Sequence, residues 1–293
     1  MSRDIRIVFM GTPDFAVGSL ESIVSSGYDV AAVVTVPDRP AGRGRVLRAS
    51  AVKEFALQNN LKVLQPEKLR DEQFLETLRS LQANLFVIVA FRMLPEVVWS
   101  MPELGSFNLH ASLLPDYRGA APINWAIING EKVTGVTTFF LNESIDTGDI
   151  IMQEKVSVGA HETFGELHDK LKGIGASLVI GTLDAIANDA VKSFSQNKIP
   201  LSPGLKPAPK IHKADTLISW NEGVERIYNK IRGLNPVPTA YTELLSPEGK
   251  VYLLKIFSAS FETERNDFIP GEIMTDGKSY LKVAGKDGLV SIT

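Results

Sequence analysis

Asn108 and His110 stand two residues apart in the apolar run SFNLH, so on any strand they share one face. A carboxylate, Asp146, follows in the acidic turn NESIDTGDI. Amide and imidazolium N–H groups can hold the oxyanion of a tetrahedral carbon, and a carboxylate can orient or charge the ring. That is the equipment for acyl-type transfer by direct attack, without a covalent enzyme intermediate. The chain has no cysteine and no GxSxG nucleophile elbow. Its four histidines, His110, His161, His168 and His212, show no metal-ligand spacing. A lone strand histidine is ordinarily a core residue, and an acidic turn ordinarily caps a strand. An asparagine beside the histidine at a strand end shifts the balance toward chemistry.

The surrounding sequence supplies a frame. Residues 5–11 (IRIVFMG), DVAAVVT and residues 83–91 (ANLFVIVAF) are short apolar runs that read as buried parallel strands. Between the first two, GTPDFAVGSLESIVSSG reads as a helix with Phe15, Val17, Leu20 and Ile23 inward. Helices follow at SAVKEFALQNN and DEQFLETLRSLQ, with a short strand LKVLQP between them. Strand–helix–strand order predicts an α/β fold with a doubly wound, mostly parallel, Rossmann-like sheet. The first turn is Gly11-Thr12-Pro13, not GxGxxG, and Pro13 removes a donor that a pyrophosphate would need, which disfavours a dinucleotide enzyme. Arg92, Met93 and Leu94 close the most apolar run, at the carboxyl edge where such sheets bind ligands. Beyond SLLPDYRGAAP, which its prolines and glycine keep irregular, come a helix (PINWAIING) and two strands (VTGVTTFFL, IIMQEKVSV). Residues 161–190 read as a long helix with Phe164, Leu167, Leu171, Ile174 and Leu178 inward.

Two further stretches bear on a partner and on the division of the chain. Residues 37–50 (PDRPAGRGRVLRAS) carry Arg39, Arg43, Arg45 and Arg48 against one carboxylate, Asp38. Read plainly this is a solvated mobile loop; read functionally it is a basic finger for phosphate. Residues 199–210 (IPLSPGLKPAPK) have the proline content and lack of periodicity of a linker. The expected division is therefore a catalytic domain at 1–198 with an insertion at 37–50, a linker at 199–210, and a second domain at 211–293. Short alternating strands with Gly turns predict a small β-barrel there.

The 293 residues, 44% hydrophobic and 22% charged with net charge −3, are those of a globular chain not devoted wholly to nucleic acid. No apolar run reaches bilayer length, and the first residues lack the layout of a signal or transit peptide. Absence of cysteine fits a reducing cytoplasm. A two-domain monomer without membrane attachment is the expected state.

The motifs Asn108-Leu-His110, SLLPDYRGAAPINWAI and ESIDTGDI together resemble the formyltransferases that use 10-formyltetrahydrofolate. VFMGTPDFAV, DRPAGRGR and KPAPKI resemble the branch of that family whose acceptor is methionyl initiator tRNA. The resemblance covers nearly the whole chain. It implies Asn108, His110 and Asp146 as the catalytic trio, and a folate site lined by Ser112, Leu113, Leu114 and Pro115 with Arg92, Met93 and Leu94 opposite. It implies that Arg39, Arg43 and Arg45 belong to an insertion that meets the tRNA acceptor stem, and that the C-terminal domain is an oligonucleotide-binding-like (OB-like) barrel that holds the tRNA. Tetrahydrofolate would be the product, and no metal is implied. Arg92-Met93 departs from the smaller Tyr-Gly-like pair of many such enzymes and is nearer to the purine-pathway relative. The family's C-terminal domain usually runs on by one more strand past the position of Thr293. A formyltransferase with a ribonucleotide or nucleotide-sugar acceptor is the nearest alternative, and a non-catalytic RNA-binding protein the alternative of another class.

Overall fold

The first apolar run becomes β1 (Arg6–Gly11), followed by α1 (Asp14–Ser25), β2 (Asp29–Val34), the short β3 (Arg39–Ala41) and β4 (Val46–Arg48), and α2 (Ala51–Gln58). Next come β5 (Val63–Leu64), α3 (Glu72–Ser80), β6 (Leu85–Val89), α4 (Glu96–Trp99) and β7 (Ser106–His110). The two-residue β8 (Arg118–Gly119), α5 (Pro122–Ile128), β9 (Val133–Phe140), β10 (Ile150–Ser157) and α6 (Phe164–Ala187) complete this part. This computed structural model describes residues 3–41, 46–199, 204–246, 248–263 and 267–293. Among them, no helix is long and apolar enough to cross a membrane.

Seven strands form one sheet in the order β10-β9-β7-β6-β1-β2-β5. The pairs β1–β2, β1–β6, β2–β5 and β6–β7 are parallel, and β9 is antiparallel to β7. Strand order reverses between β1 and β6, so the crevice beyond their carboxyl ends is where a doubly wound sheet takes ligands. Val8, Met10, Ala32, Val34, Phe86 and Ile88 face Phe74, Leu75 and Leu78 of α3 on one side of the sheet. On the other side, α1 packs over β1, β2 and β6. Helix α6 meets β7 closely, since a Cβ on Gly175 would fall 2.8 Å from Leu109 Cδ2. Asp71 and Ser50 cap α3 and α2, accepting from Phe74 N at 3.2 Å and Lys53 N at 3.1 Å.

Two expectations shift. In α6, Leu167, Leu171, Val179 and Leu183 are fully buried, whereas Phe164, Ile174 and Leu178 are only partly so. Helical period and heptad-like spacing drift apart over 24 residues, so the buried stripe rotates away from the set chosen by spacing. Segment 37–50 holds an antiparallel pair, with Arg39 opposite Arg48 and Pro40 opposite Leu47.

Contacts divide the chain into two units, residues 1–118, 135–156 and 169–205 against 119–134, 157–168 and 206–293. The second unit thus includes α5 and residues 157–168, which run into the start of α6. Within it α5 lies against α7 (Val224–Gly233), where Asn124 Nδ2 donates to Gly233 O at 2.8 Å. The two-residue β11 (Pro207–Ala208) precedes α7. After it, β12 (Ala240–Leu245) and β13 (Val251–Ile256) pair as a hairpin, and β14 (Ala259–Glu262), β17 (Leu289–Ile292), β16 (Leu281–Ala284) and β15 (Ile273–Thr275) form a four-stranded sheet in that order. Neighbouring strands in both sheets run antiparallel. Ile227 and Ile231 of α7 pack with Ile218, Leu234, Ala240, Ile256 and Val290 as this unit's core.

Candidate active site

Asn108 and His110 fall on β7 as the alternation requires, in register with Phe139 and Thr137 of β9. Leu109 points the other way, under α6. His110 is buried, and its Nε2 lies 2.8 Å from the carbonyl oxygen of Tyr117. A carbonyl only accepts, so Nε2 carries a proton there and Nδ1 is the ring nitrogen left for another partner. Asp146 Oδ2 lies 3.8 Å from that Nδ1. The separation is too long for a direct hydrogen bond and short enough for strong electrostatic interaction. Asn108 Oδ1 is buried with no hydrogen-bond partner, as is Thr12 Oγ1 just past β1. Buried orphans of this kind cost about 1–3 kcal/mol each; Thr12 directly follows β1, and Asn108 lies two residues before the carboxyl end of β7. They fit a polar ligand that brings its own donors.

Thr137, on β9, organises the irregular segment after β7. Its hydroxyl donates to Ser112 O at 2.6 Å and accepts from Leu114 N at 3.2 Å and Gln153 Nε2 at 2.9 Å. Gln153 Nε2 also reaches Leu114 O at 2.9 Å. Ser112 is fully buried and donates to Asp116 O at 2.7 Å. Leu114 is also buried and joins a small cluster with Phe139 and Ile150. Leu113 reaches over Gly135, where a Cβ would come within 2.5 Å of its Cδ2. Side chains of Ser112 and Leu114 are thus turned into the protein, and what this segment can present to a ligand is backbone.

Asp146 adopts a left-handed φ of +53° in its turn. Gly148, two residues on, lies so close to the Phe140 carbonyl that a Cβ would fall 1.6 Å from the oxygen. Gln196, deeply buried, donates through Nε2 to Asp146 O at 2.9 Å and Gly148 O at 2.8 Å. Thr137, Gln153 and Gln196 escape sequence reasoning because their spacing to the site is tertiary, and no local pattern announces them.

Arg92, Met93 and Leu94 follow β6 at the neighbouring strand end. Arg92 is tied to the carbonyls of Glu67 and Pro66, and burial, then the charge of Arg39, lowers its guanidinium below the usual range. Met93 is 73% exposed, and Leu94 packs on the sheet core beside α3. Arg39 is exposed on β3, while Arg43 and Arg45 lie outside the described residues. The base of this hairpin is pinned: Thr35 Oγ1 and Ser50 Oγ stand 2.8 Å apart, and Asp38 accepts from Lys53 Nζ at 2.6 Å and Gln65 Nε2 at 2.8 Å. The finger's one carboxylate is therefore engaged at its base, by a lysine outside the finger.

Residues 5–183 match the family Formyl transferase, and residues 210–293 match Formyl transferase, C-terminal domain. The chain is 54% identical to the methionyl-tRNA formyltransferase of Bacteroides thetaiotaomicron over 290 residues, covering 99% of this chain and 90% of that protein. It is 48% identical to the methionyl-tRNA formyltransferase of Flavobacterium johnsoniae, covering 98% and 90%. Among solved structures it is similar to WlaRD, a sugar 3N-formyl transferase in the presence of dTDP and 5-N-formyl-THF, with TM-score 0.67 and 21% identity over 99% of this chain and 98% of that one. HypX from Aquifex aeolicus, in complex with tetrahydrofolic acid, gives TM-score 0.65 and 18% identity over 99% and 44%. At these identities the structural likeness concerns the fold alone.

Proposed function

The chain belongs to the formyl transferase family, and on that premise we propose that it moves the formyl group of 10-formyltetrahydrofolate onto the α-amine of methionyl initiator tRNA. The observation that carries the chemistry is the committed imidazole: His110 Nε2 donates to Tyr117 O while Nδ1 looks toward Asp146 at 3.8 Å. The folate co-substrate supplies an activated formyl carbon. As the amine nitrogen adds to that carbon, Asn108 Nδ2 and the Nδ1–H of His110 donate to the oxygen that becomes anionic. Asp146 provides the negative charge opposite the imidazolium, and with a water relays the amine's proton to the departing folate nitrogen. Asn108 Oδ1, buried and without a partner, is the acceptor that an incoming N–H would satisfy.

Ser112, Leu113, Leu114 and Pro115 hold the donor through their backbone and the shape of their loop, with Arg92, Met93 and Leu94 from the adjacent strand end. Arg39, with Arg43 and Arg45, meets tRNA phosphate, and the C-terminal unit, an OB-like barrel, carries the rest of the tRNA. The protein acts as a cytoplasmic monomer. Relatives near half identity over almost the full chain, named as methionyl-tRNA formyltransferases, support this acceptor.

The test is formyl transfer from 10-formyltetrahydrofolate to charged initiator tRNA, with glycinamide ribonucleotide and a nucleotide amino sugar as competitors. Transfer to the tRNA is expected. Turnover of a small acceptor alone would overturn the acceptor, and no transfer to any amine would overturn the reaction.

A further inference from the structure

Gln196 uses every hydrogen-bonding position its amide has. Both N–H groups of Nε2 are spent on main-chain carbonyls, Asp146 O at 2.9 Å and Gly148 O at 2.8 Å. Both lone pairs of Oε1 accept from one guanidinium, Arg118 Nε at 3.2 Å and Nη2 at 2.6 Å. The reversed amide would set NH₂ against a cation and oxygen against two carbonyls, so the environment dictates its orientation. The residue is 2% exposed. Its segment is fixed in turn by a reciprocal bridge, Phe194 N to Ile150 O at 3.0 Å and Ile150 N to Phe194 O at 2.9 Å.

The turn it holds resists its own geometry. Asp146 sits at φ +53°, unfavourable for a residue with a Cβ, and Gly148 is pressed on the Phe140 carbonyl. Turns at such positions persist only when the surroundings over-determine them. We infer that Gln196 is a positioning residue for Asp146, and that Arg118 acts with it as the charged anchor. The pair grips the main chain on both sides of Thr147 and so sets the separation between the Asp146 carboxylate and His110 Nδ1. Neither residue touches the reacting atoms. This inference rests on the proposed role of Asp146 in formyl transfer.

Two variants separate positioning from folding. Gln196→Met keeps the volume and removes all four hydrogen bonds; Gln196→Glu keeps the acceptors for Arg118 and removes the two donors to the turn. Both are expected to lower kcat for formyl transfer about 10–100-fold, with KM for folate and for tRNA within about threefold of the parent. Gln196→Glu answers the question where Gln196→Met does not fold. The deciding measurement is a double-mutant cycle with Asp146→Asn. If Gln196 acts through Asp146, its replacement costs little further rate in the Asp146→Asn background. A full, additive loss there, or an unchanged kcat in either single variant, overturns the inference. Parental turnover by Asp146→Asn alone overturns instead the role of Asp146 on which it rests.

Discussion

Thr137 stands directly opposite His110 in the β7–β9 pair, and its hydroxyl bonds to main-chain atoms of Ser112 and Leu114. One strand position thus pairs with His110 and shapes the segment that follows it. Thr137→Val would leave Ser112 O and Leu114 N without this partner at little change in volume. The expected loss is about 1–3 kcal/mol of stability, together with a raised KM for folate. Thermal denaturation and steady-state kinetics check it, and parental values in both would detach Thr137 from the loop.

Asn108 carries opposite consequences for stability and rate. Removing its orphaned oxygen relieves a buried unsatisfied acceptor, while removing its N–H donor takes away the partner proposed above for the oxyanion. Asn108→Leu is expected to hold or raise Tm while lowering kcat by roughly 10²–10³. A marked fall in Tm would mean the side chain is structural.

His110→Ala and Asp146→Asn are each expected to lower the chemical rate about 10²–10⁴-fold. Folate binding, followed by calorimetry, should persist in both. A lost binding isotherm with an unaltered single-turnover rate would reverse the assignment.

Gly148→Ala introduces a methyl into space occupied by the Phe140 carbonyl. Forced repacking of this kind costs about 1–3 kcal/mol or more. Activity should fall with stability because the displaced turn is the one that carries Asp146. An active, equally stable Gly148→Ala protein would contradict the close approach.

The hairpin offers a charge test and a pH test. Arg39→Leu should raise KM for tRNA most at low salt, the gap closing as salt screens the parent, with folate KM unchanged. Asp38 is held below the ordinary carboxylate range by its hydrogen bond from Lys53 and then that from Gln65. A depressed carboxylate stabilises the fold above its unfolded pKa of about 3.9 and loses that contribution as pH falls through the lower folded value. Hydrogen exchange of residues 36–41 and 46–50, corrected for intrinsic rate, should therefore rise only below about pH 4. Asp38→Asn should show raised exchange at neutral pH too.

What was legible in the sequence follows from how local each signal is. Apolar runs such as IRIVFMG and LFVIV name their strands outright, and strand alternation alone puts Asn108 and His110 on one face. The pairing of Arg39–Ala41 with Val46–Arg48 was hidden because proline and glycine in that stretch read as a loop. Ser112 and Leu114 belong to the family's motif, yet their side chains face inward, a distinction that depends on Thr137 of another strand. Gln196 lies 50 residues from Asp146, and nothing near it in sequence marks it for the site.

The carbonyl of Tyr117 makes His110 a one-sided acid–base group. With Nε2–H committed to a main-chain oxygen in a buried setting, only Nδ1 is left to gain or lose a proton. The neutral ring is thereby confined to a single tautomer, and the charged ring differs from it by one site alone. A nitrogen spectrum of the labelled imidazole should then show Nε2 with protonated character in either form of the ring, Nδ1 alone telling the two forms apart. Since the accepting atom is main chain, side-chain replacement at position 117 leaves that proton inventory intact as long as the backbone there stays left-handed, as its φ of +61° requires.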